Sequence, residues 1–150
     1  MVHHARLHLI VDTRDKRPFT FDGRHKITKK ALPCGDYSLW GYSRFIAVER
    51  KNLSDFLINC GVKQTAFRSQ LTRLSRLRYA CVVVEGSISD FCRFTRINQF
   101  ARTMIVARLT AQHGVPIIFA GDRHKAEMYT EHFLRQAKHE LDNLSEETVA

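Results

Sequence analysis

The stretch GDYSLWGYSRFIAVERKNLSDF, residues 35–56, decides how this chain is read. Gly35 and Asp36 complete a turn signal that begins at Pro33 and Cys34. Tyr37 to Trp40 and Phe45 to Glu49 are rich in aromatic and apolar side chains, with Gly41 between them. That pattern predicts a β-hairpin. Beyond it, Asn52 or Ser54 is placed to cap a short helix through Asp55, Phe56 and Leu57, which Gly61 breaks.

The flanking segments extend this unit. Leu7 to Val11 is a short apolar run, predicted as a strand that ends at Asp12. Asp15 to Lys30 is polar and basic, with Pro18 and Gly23, and predicts loop and edge structure. Phe67, Leu71, Leu74 and Leu77 recur at helical spacing within residues 65–78. Ala80 to Glu85 is a continuous apolar run, the mark of a strand buried on both faces. Asn98 to His113 reads as a helix ended by Gly114, and Val115 to Ala120 as another buried strand. From Asp122 to about Leu144 the apolar positions Met128, Phe133, Leu134, Ala137, Leu141 and Leu144 line one side of a long helix, as core or dimer surface. The order predicts one three-layer α/β domain with a central mixed β-sheet flanked by helices.

Composition bounds the function. At 150 residues, 44% apolar and 26% charged, the chain fits a single globular domain, not a disordered one. No apolar run approaches the roughly 20 residues of a membrane span, and the N-terminus lacks the apolar stretch of a signal peptide. An intracellular location is expected, cytoplasmic and nucleoid-associated if the chain is bacterial or phage-encoded. Cys34, Cys60, Cys81 and Cys92 are far apart with no CxxC pair, which argues against a zinc ribbon or a thioredoxin-like motif and for free thiols. The histidines also lack metal-site spacing, and His3 and His4 are expected in solvent.

The net charge of +9 is uneven. Residues 121–150 are net −3, so residues 1–120 carry +12 with only eight acids. A basic body of this kind suits a polyanion partner, since phosphate neutralisation releases counterions. Five of the eight acids stand at strand ends or in a tight local pattern: Asp12, Asp36, Glu49, Asp55 and Glu85. Side chains two apart on a strand share a face, so Glu49 and Lys51 point into one site, and Asp36 can converge on them across the hairpin. Grouped carboxylates hold Mg²⁺ or Mn²⁺, which take hard oxygen ligands. A carboxylate metal site inside a basic body is what a phosphodiesterase requires. The triplet alone is weakly specific, and a charged surface hairpin is its bland alternative.

The longer string is far more specific. Gly35-Asp36-Tyr37 followed by Val48-Glu49-Arg50-Lys51-Asn52-Leu53-Ser54-Asp55 resembles the GDx(n)ERKxxxD signature of the XPF-type structure-specific endonucleases, a branch of the PD-(D/E)xK nuclease superfamily. Val11-Asp12-Thr13-Arg14-Asp15 looks like the family's first strand, with Asp15 in place of the usual Glu. Residues 67–74, 82–85 and 114–116 look like its following helix, next strand and the approach to its last core strand. The resemblance implies a restriction-endonuclease-like fold and metal-dependent DNA cleavage with Mg²⁺ or Mn²⁺. It implies that Asp36 and Glu49 are metal ligands, with Asp12 contributing directly or through water, and that Lys51 is the catalytic lysine. Arg50 would support the site, touch phosphate or reach the metal through its carbonyl. Asp55 would hold the loop or an outer ring of contacts, and Arg14 would contact the site or the scissile strand. Glu85 would orient the site or cap a neighbouring helix.

Other residues carry a functional and a plain reading side by side. Arg68, Arg73 and Arg76 bind DNA or form a solvated face; with Arg78 they do not share one helical face. Lys26, Lys29 and Lys30 grip duplex backbone or sit in a basic loop. Trp40 and Tyr42 stack on an unpaired base or pack.

The expected organisation is a single XPF-type nuclease domain over residues 1–150, without the helix-hairpin-helix or helicase-like region usual in full-length members. The resemblance also implies a homodimer that pairs through residues after about Phe91. The expected substrate is branched DNA: a 3′ flap, fork or splayed arm. The alternatives are a non-catalytic DNA-binding or scaffold subunit, and a nuclease for plain duplex or four-way junctions.

Overall fold

The computed structural model describes residues 4–93 and 99–149. Its centre is the apolar strand β5 (Tyr79–Glu85), which has no polar side chain between Tyr79 and Glu85 and so tolerates neighbours on both edges and both faces. The parallel strands β4 (Ile46–Asn52) and β6 (Ile117–Phe119) flank it. β3 (Tyr37–Leu39) pairs antiparallel with β4 and with β1 (His8–Val11), and β2 (Lys26–Lys29) closes the far edge parallel to β1. The six-stranded order is β2-β1-β3-β4-β5-β6. This is the mixed sheet that the segment order predicts.

Two cores cover the two faces. On one, Leu9, Val11, Tyr37, Leu39, Ile46, Val48, Cys81 and Val83 pack against Ala126, Leu134 and Ala137 of α5 (Arg123–Val149). On the other, Ala47, Val82 and Val84 pack against helices α1 (Leu53–Asn59), α2 (Gln64–Ser75), α3 (Ile88–Arg93) and α4 (Gln99–His113) through Phe56, Phe67, Leu71, Leu74, Phe91 and Leu109. Three layers result, and the apolar stripe of the last helix is largely core. All four cysteines are free thiols. Among the described residues no helix is long and apolar enough to cross a membrane.

Several segments differ from expectation. Lys26–Lys29, expected as loop and edge, is a true edge strand: the Lys26 and Lys30 N–H groups donate to Leu7 and Val11 carbonyls at 3.0 Å each. Backbone pairing outweighs the missing apolar pattern there, and exposed lysines suit a strand edge. Helix α3 was not expected, although Ser87-x-x-Asp90 is an N-terminal signature; the Ser87 hydroxyl accepts from the Asp90 N–H at 2.9 Å. The last core strand is shorter than residues 115–120, and α5 runs on to Val149. Asn52, not Ser54, caps α1, its side-chain oxygen accepting from the Asp55 N–H at 2.8 Å. His4 is exposed as expected, while His3 and Asn98 lie outside the described residues.

One buried carboxylate fastens α5 to the sheet edge. Glu131, 3% exposed, accepts from Arg24 at 2.7 and 2.9 Å and from His25 Nε2 at 2.7 Å. The Leu7 N–H donates to His25 Nδ1 at 3.1 Å, so the ring proton sits on Nε2 and points at Glu131. Burial disfavours the Glu131 charge, but the Arg24 and His25 hydrogen bonds outweigh it and hold its pKa below the ordinary glutamate value. Its contribution is therefore complete above that ordinary value and disappears as pH falls through the lowered native one. Glu131→Gln should cost about 3 kcal/mol at pH 7, with a gap to wild type that narrows below about pH 4, in urea melts followed by circular dichroism.

Candidate active site

Gly35 sets the site. Its φ of +78° belongs to the left-handed region, and a Cβ there would lie 2.9 Å from Ala47 Cβ and 3.2 Å from the Val48 carbonyl oxygen. Only glycine lets the chain come this close to β4. The Asp36 N–H then donates to the Val48 carbonyl at 2.8 Å, which lands Asp36 beside Glu49. Asp36 Oδ2 in turn accepts from the Arg50 N–H at 2.7 Å.

The alternation along β4 sorts the signature residues. Glu49 and Lys51 share the face of Ala47, the α1–α4 side, and Lys51 Nζ lies 3.2 Å from Glu49 Oε1. Glu49 is 8% exposed. Burial disfavours both acids' charged forms, and Glu49 adds repulsion at Asp36, whose pKa is pushed up to about 7. Glu49 is raised too, by burial only partly offset by Lys51. Two neighbouring carboxylates, Glu49 buried and Asp36 half-buried, with raised proton affinity are a site short of positive charge.

The pair sits between two cavities. One, of about 210 Å³, is lined by Asp12, Asp36, Glu49, Gln70 and Arg73 among others. The other, of about 330 Å³, adds Lys51, Asn52, Asp55 and Glu85. Gln70 Oε1, facing the first cavity from α2, is buried without a hydrogen-bond partner. Two carboxylates and an orphaned amide oxygen are all hard donors, so the residues present fit a hard divalent cation. Among the described residues, however, no group of three His, Cys, Asp or Glu side chains is arranged to hold one.

Asp12, the third carboxylate at this cavity, is held elsewhere. Its Oδ1 accepts from Arg14 N–H at 2.9 Å and Nε at 2.7 Å, and its Oδ2 from Arg14 Nη2 at 2.9 Å and the Leu32 N–H at 2.7 Å. The Arg14 bonds draw its pKa down to about 2 against the effect of burial, so it stays ionised. Asp12 lines the cavity, but its oxygens are committed to Arg14 and to the loop at Leu32; a direct metal bond requires that clamp to open. Arg14 itself is exposed beyond the clamp and borders both cavities.

Arg50 goes the other way. Being one residue from Glu49 and Lys51, it emerges on the α5 face, where its side chain is 13% exposed. It binds Asp15 at 2.7 Å and Glu85 at 2.9 Å, and Glu85 also receives Arg123 at 2.8 Å. Tyr37 donates its hydroxyl to Asp15 at 2.8 Å and accepts the Phe19 N–H at 2.9 Å. Arg50 and Arg123 both lie over the Phe19 ring, at 5.6 and 4.8 Å. Arg50 thus supports the site from behind, with its side chain spent, and Glu85 orients this network.

The remaining expectations divide. Asp55 borders the second cavity from the first turn of α1. Arg73 borders the first; Arg68 is turned to Gln112 of α4, and Arg76 ends α2 away from both cavities. Lys26, Lys29 and Lys30 lie exposed on or beside the edge strand. Tyr42 packs, donating to Asp142 at 2.6 Å, whereas Trp40 is half exposed. Gln70, Tyr37 and Arg123 were not singled out from the sequence. The spacing of Phe67, Leu71 and Leu74 does place Gln70 beside the buried stripe of α2, which was a usable signal. Nothing local marked Tyr37 or Arg123.

Asp36→Asn removes the charge that burial disfavours and keeps an oxygen for the Arg50 N–H. The folded state holds the Asp36 proton up to about pH 7 while the unfolded chain releases it near pH 4, so wild-type stability falls across that window. In EDTA, Asp36→Asn should melt above wild type at pH 8, and the gap should narrow as pH drops toward 4, by differential scanning calorimetry.

No curated protein matches this chain. XPF from Aeropyrum pernix superposes with a TM-score of 0.71 at 24% identity, covering 87% of this chain and 61% of that one. XPF from Aeropyrum pernix in complex with DNA superposes with a TM-score of 0.67 at 25% identity, covering 89% and 66%. The chain therefore spans somewhat less than two-thirds of these relatives' length. The mixed sheet with helices on both faces is the XPF nuclease fold, restriction-endonuclease-like as expected. Residues 11–133 match the ERCC4 domain, a span that contains Asp12, Asp36, Glu49, Lys51 and Asp55 and most of the chain, and the protein belongs to the ERCC4 domain family of XPF-type nuclease domains.

Proposed function

We propose that the protein is a metal-dependent endodeoxyribonuclease that hydrolyses phosphodiester bonds at branched DNA, using Mg²⁺ or Mn²⁺. The observation that carries this reading is the Asp36–Glu49 pair, Glu49 buried and Asp36 half-buried, with Lys51 on the strand face of Glu49, set in a body of net charge +12. Membership of the ERCC4 domain family supports DNA cleavage, and the DNA complex of a relative supports DNA as the partner. Pairing of two copies through residues after about Phe91 is part of the proposal.

Asp36, Glu49 and the Gln70 oxygen would hold the cation. When bound, the metal supplies a Lewis acid for the phosphodiester and a lowered pKa for a bound water. The chain's own groups do the rest. Lys51, held by Glu49 on one side and 5.7 Å from the Phe67 ring on the other, directs its ammonium to the attacking water or to charge developing on phosphate. Arg14 and Arg73, at the rim of the first cavity, offer guanidinium groups to the strand's phosphates. Asp55 borders the second cavity, beside Lys51 and Asn52. Arg50 keeps β4 in register through Asp15 and Glu85, without reaching the substrate.

Cleavage of labelled 3′-flap, fork, plain-duplex and four-way-junction substrates tests the reading. Mg²⁺- or Mn²⁺-dependent cutting is expected, strongest on the flap or fork, with at least a 100-fold loss in Asp36→Asn and Lys51→Ala. Junction binding that survives EDTA with no cutting in either metal would instead identify a non-catalytic subunit. Arg50→Ala separates support from chemistry. It should lower the melting temperature by several degrees, since it takes the ionic partner from Asp15 and leaves Glu85 with Arg123 alone, whereas Asp36→Asn, which should abolish cutting, should not lower it at pH 8.

A further inference from the structure

The sheet face that carries Asp36 and Glu49 also carries a second group of side chains at its other end. Leu9, Val11, Tyr37 and Leu39 point into the α5 core, so His8, Ile10, Asp12, Asp36, Ser38 and Trp40 alternate to the opposite face. The register sets them in rows across β2, β1 and β3. Lys26 pairs with His8, and Ile10 pairs with Thr28 on one side and Ser38 on the other. The next positions on either side are held by main-chain bonds from Trp40 N–H to the His8 carbonyl at 2.9 Å and from Asp12 N–H to the Asp36 carbonyl at 2.8 Å. Trp40 thus stands four residues of strand, about 13 Å, from Asp36 on the same face.

Trp40 is 51% exposed. The His8 imidazole stacks on its indole, 4.9 Å between centroids and 2° from parallel, and His8 Nε2 is tied to Thr28 Oγ1 at 2.8 Å. The Lys30 ammonium lies 5.3 Å from the indole centroid. Lys26 sits beside His8 in the same row. A planar aromatic braced by an imidazole, left half in water, with one ammonium at its ring and a second lysine in its row, matches what a single-stranded nucleic acid needs: a surface for a base and cations for its phosphates. Edge lysines alone would serve to keep other strands from pairing. They do not account for a large indole held rigid and exposed on the catalytic face.

We propose that Trp40, braced by His8 and flanked by Lys26 and Lys30, stacks on an unpaired base of the DNA arm that leaves the cleavage site. The occupant is single-stranded DNA, and the proposal rests on the nuclease reading for its substrate. It explains how one domain could favour DNA with an unpaired arm: duplex presents phosphates to the lysines but no open base face to the indole.

Trp40 is the chain's single tryptophan, so its emission reports the contact directly. The full chain is titrated in EDTA with oligo(dT) and with a blunt duplex of equal length. Oligo(dT) should quench the emission saturably, and the blunt duplex should not. Trp40→Ala should weaken oligo(dT) binding roughly 5- to 150-fold by anisotropy of a labelled strand, with Trp40→Phe recovering most of it. Lys26→Ala and Lys30→Ala should each reduce the salt slope of binding by about 0.7. Absence of quenching, equal quenching by blunt duplex, or wild-type affinity in Trp40→Ala overturns the proposal. Because quenching is read on the wild type and Trp40→Phe keeps the ring, a misfolded alanine variant leaves the test intact. Quenching by oligo(dT) without cleavage in any metal sinks the nuclease reading alone; cleavage without quenching sinks the platform alone.

Discussion

Two carboxylates drawn largely out of water beside each other, Glu49 buried and Asp36 half-buried, are the constraint around which this fold is arranged. Asp36 and Glu49 repel, and burial strengthens that repulsion because the low dielectric screens it poorly. Nothing in the local backbone favours the arrangement. It persists because Gly35 lets the loop touch β4, because the Val48 carbonyl and Arg50 N–H bracket Asp36, and because β4 lies next to the apolar β5, which fixes its position. Stability is given up here in favour of a site ready for positive charge, as is common where proteins carry out chemistry.

The consecutive residues Glu49, Arg50 and Lys51 look like one functional unit in the sequence and are two in space. The strand's two-residue period sends Glu49 and Lys51 toward the cavities and Arg50 toward α5. Behind the sheet, Arg50 joins Asp15, Glu85, Tyr37 and Arg123 over the Phe19 ring, so acids from the ends of β1 and β5 are neutralised by cations from β4 and α5. The front of the strand is thereby free to remain short of cations, because its back is saturated with them.

Much of this was legible in the sequence. The hairpin, the buried strand at residues 80–85 and the long last helix follow from period and apolarity, and the GDx(n)ERKxxxD string alone brings Asp36, Glu49 and Lys51 together. What was not legible depended on partners distant in sequence. The Lys26–Lys29 strand has no apolar pattern and exists through bonds to Leu7 and Val11. The clamp on Asp12 needs Leu32, twenty residues away, and the Arg50 network needs Arg123 from the last helix. Arg68, Arg73 and Arg76 differ only by which neighbour each side of α2 meets, and spacing alone does not name the neighbour. Trp40 and Tyr42 share a turn, yet Asp142 ties one to α5 while the other stays in solvent.

Helix α5 touches both ends of this arrangement. Arg123 in its first turn grips Glu85 and the carbonyls of Arg17 and Pro18, while nineteen residues later Asp142 receives the Tyr42 hydroxyl and the Lys138 ammonium. At 1.5 Å per residue those anchor points are about 28 Å apart along one unbroken rod. The rod acts as a splint: it couples the support behind the carboxylates to the turn that presents Trp40. The distance between the hairpin turn and the Arg50 network is thereby set twice, once by the β4 strand that joins them and once by the helix that spans them.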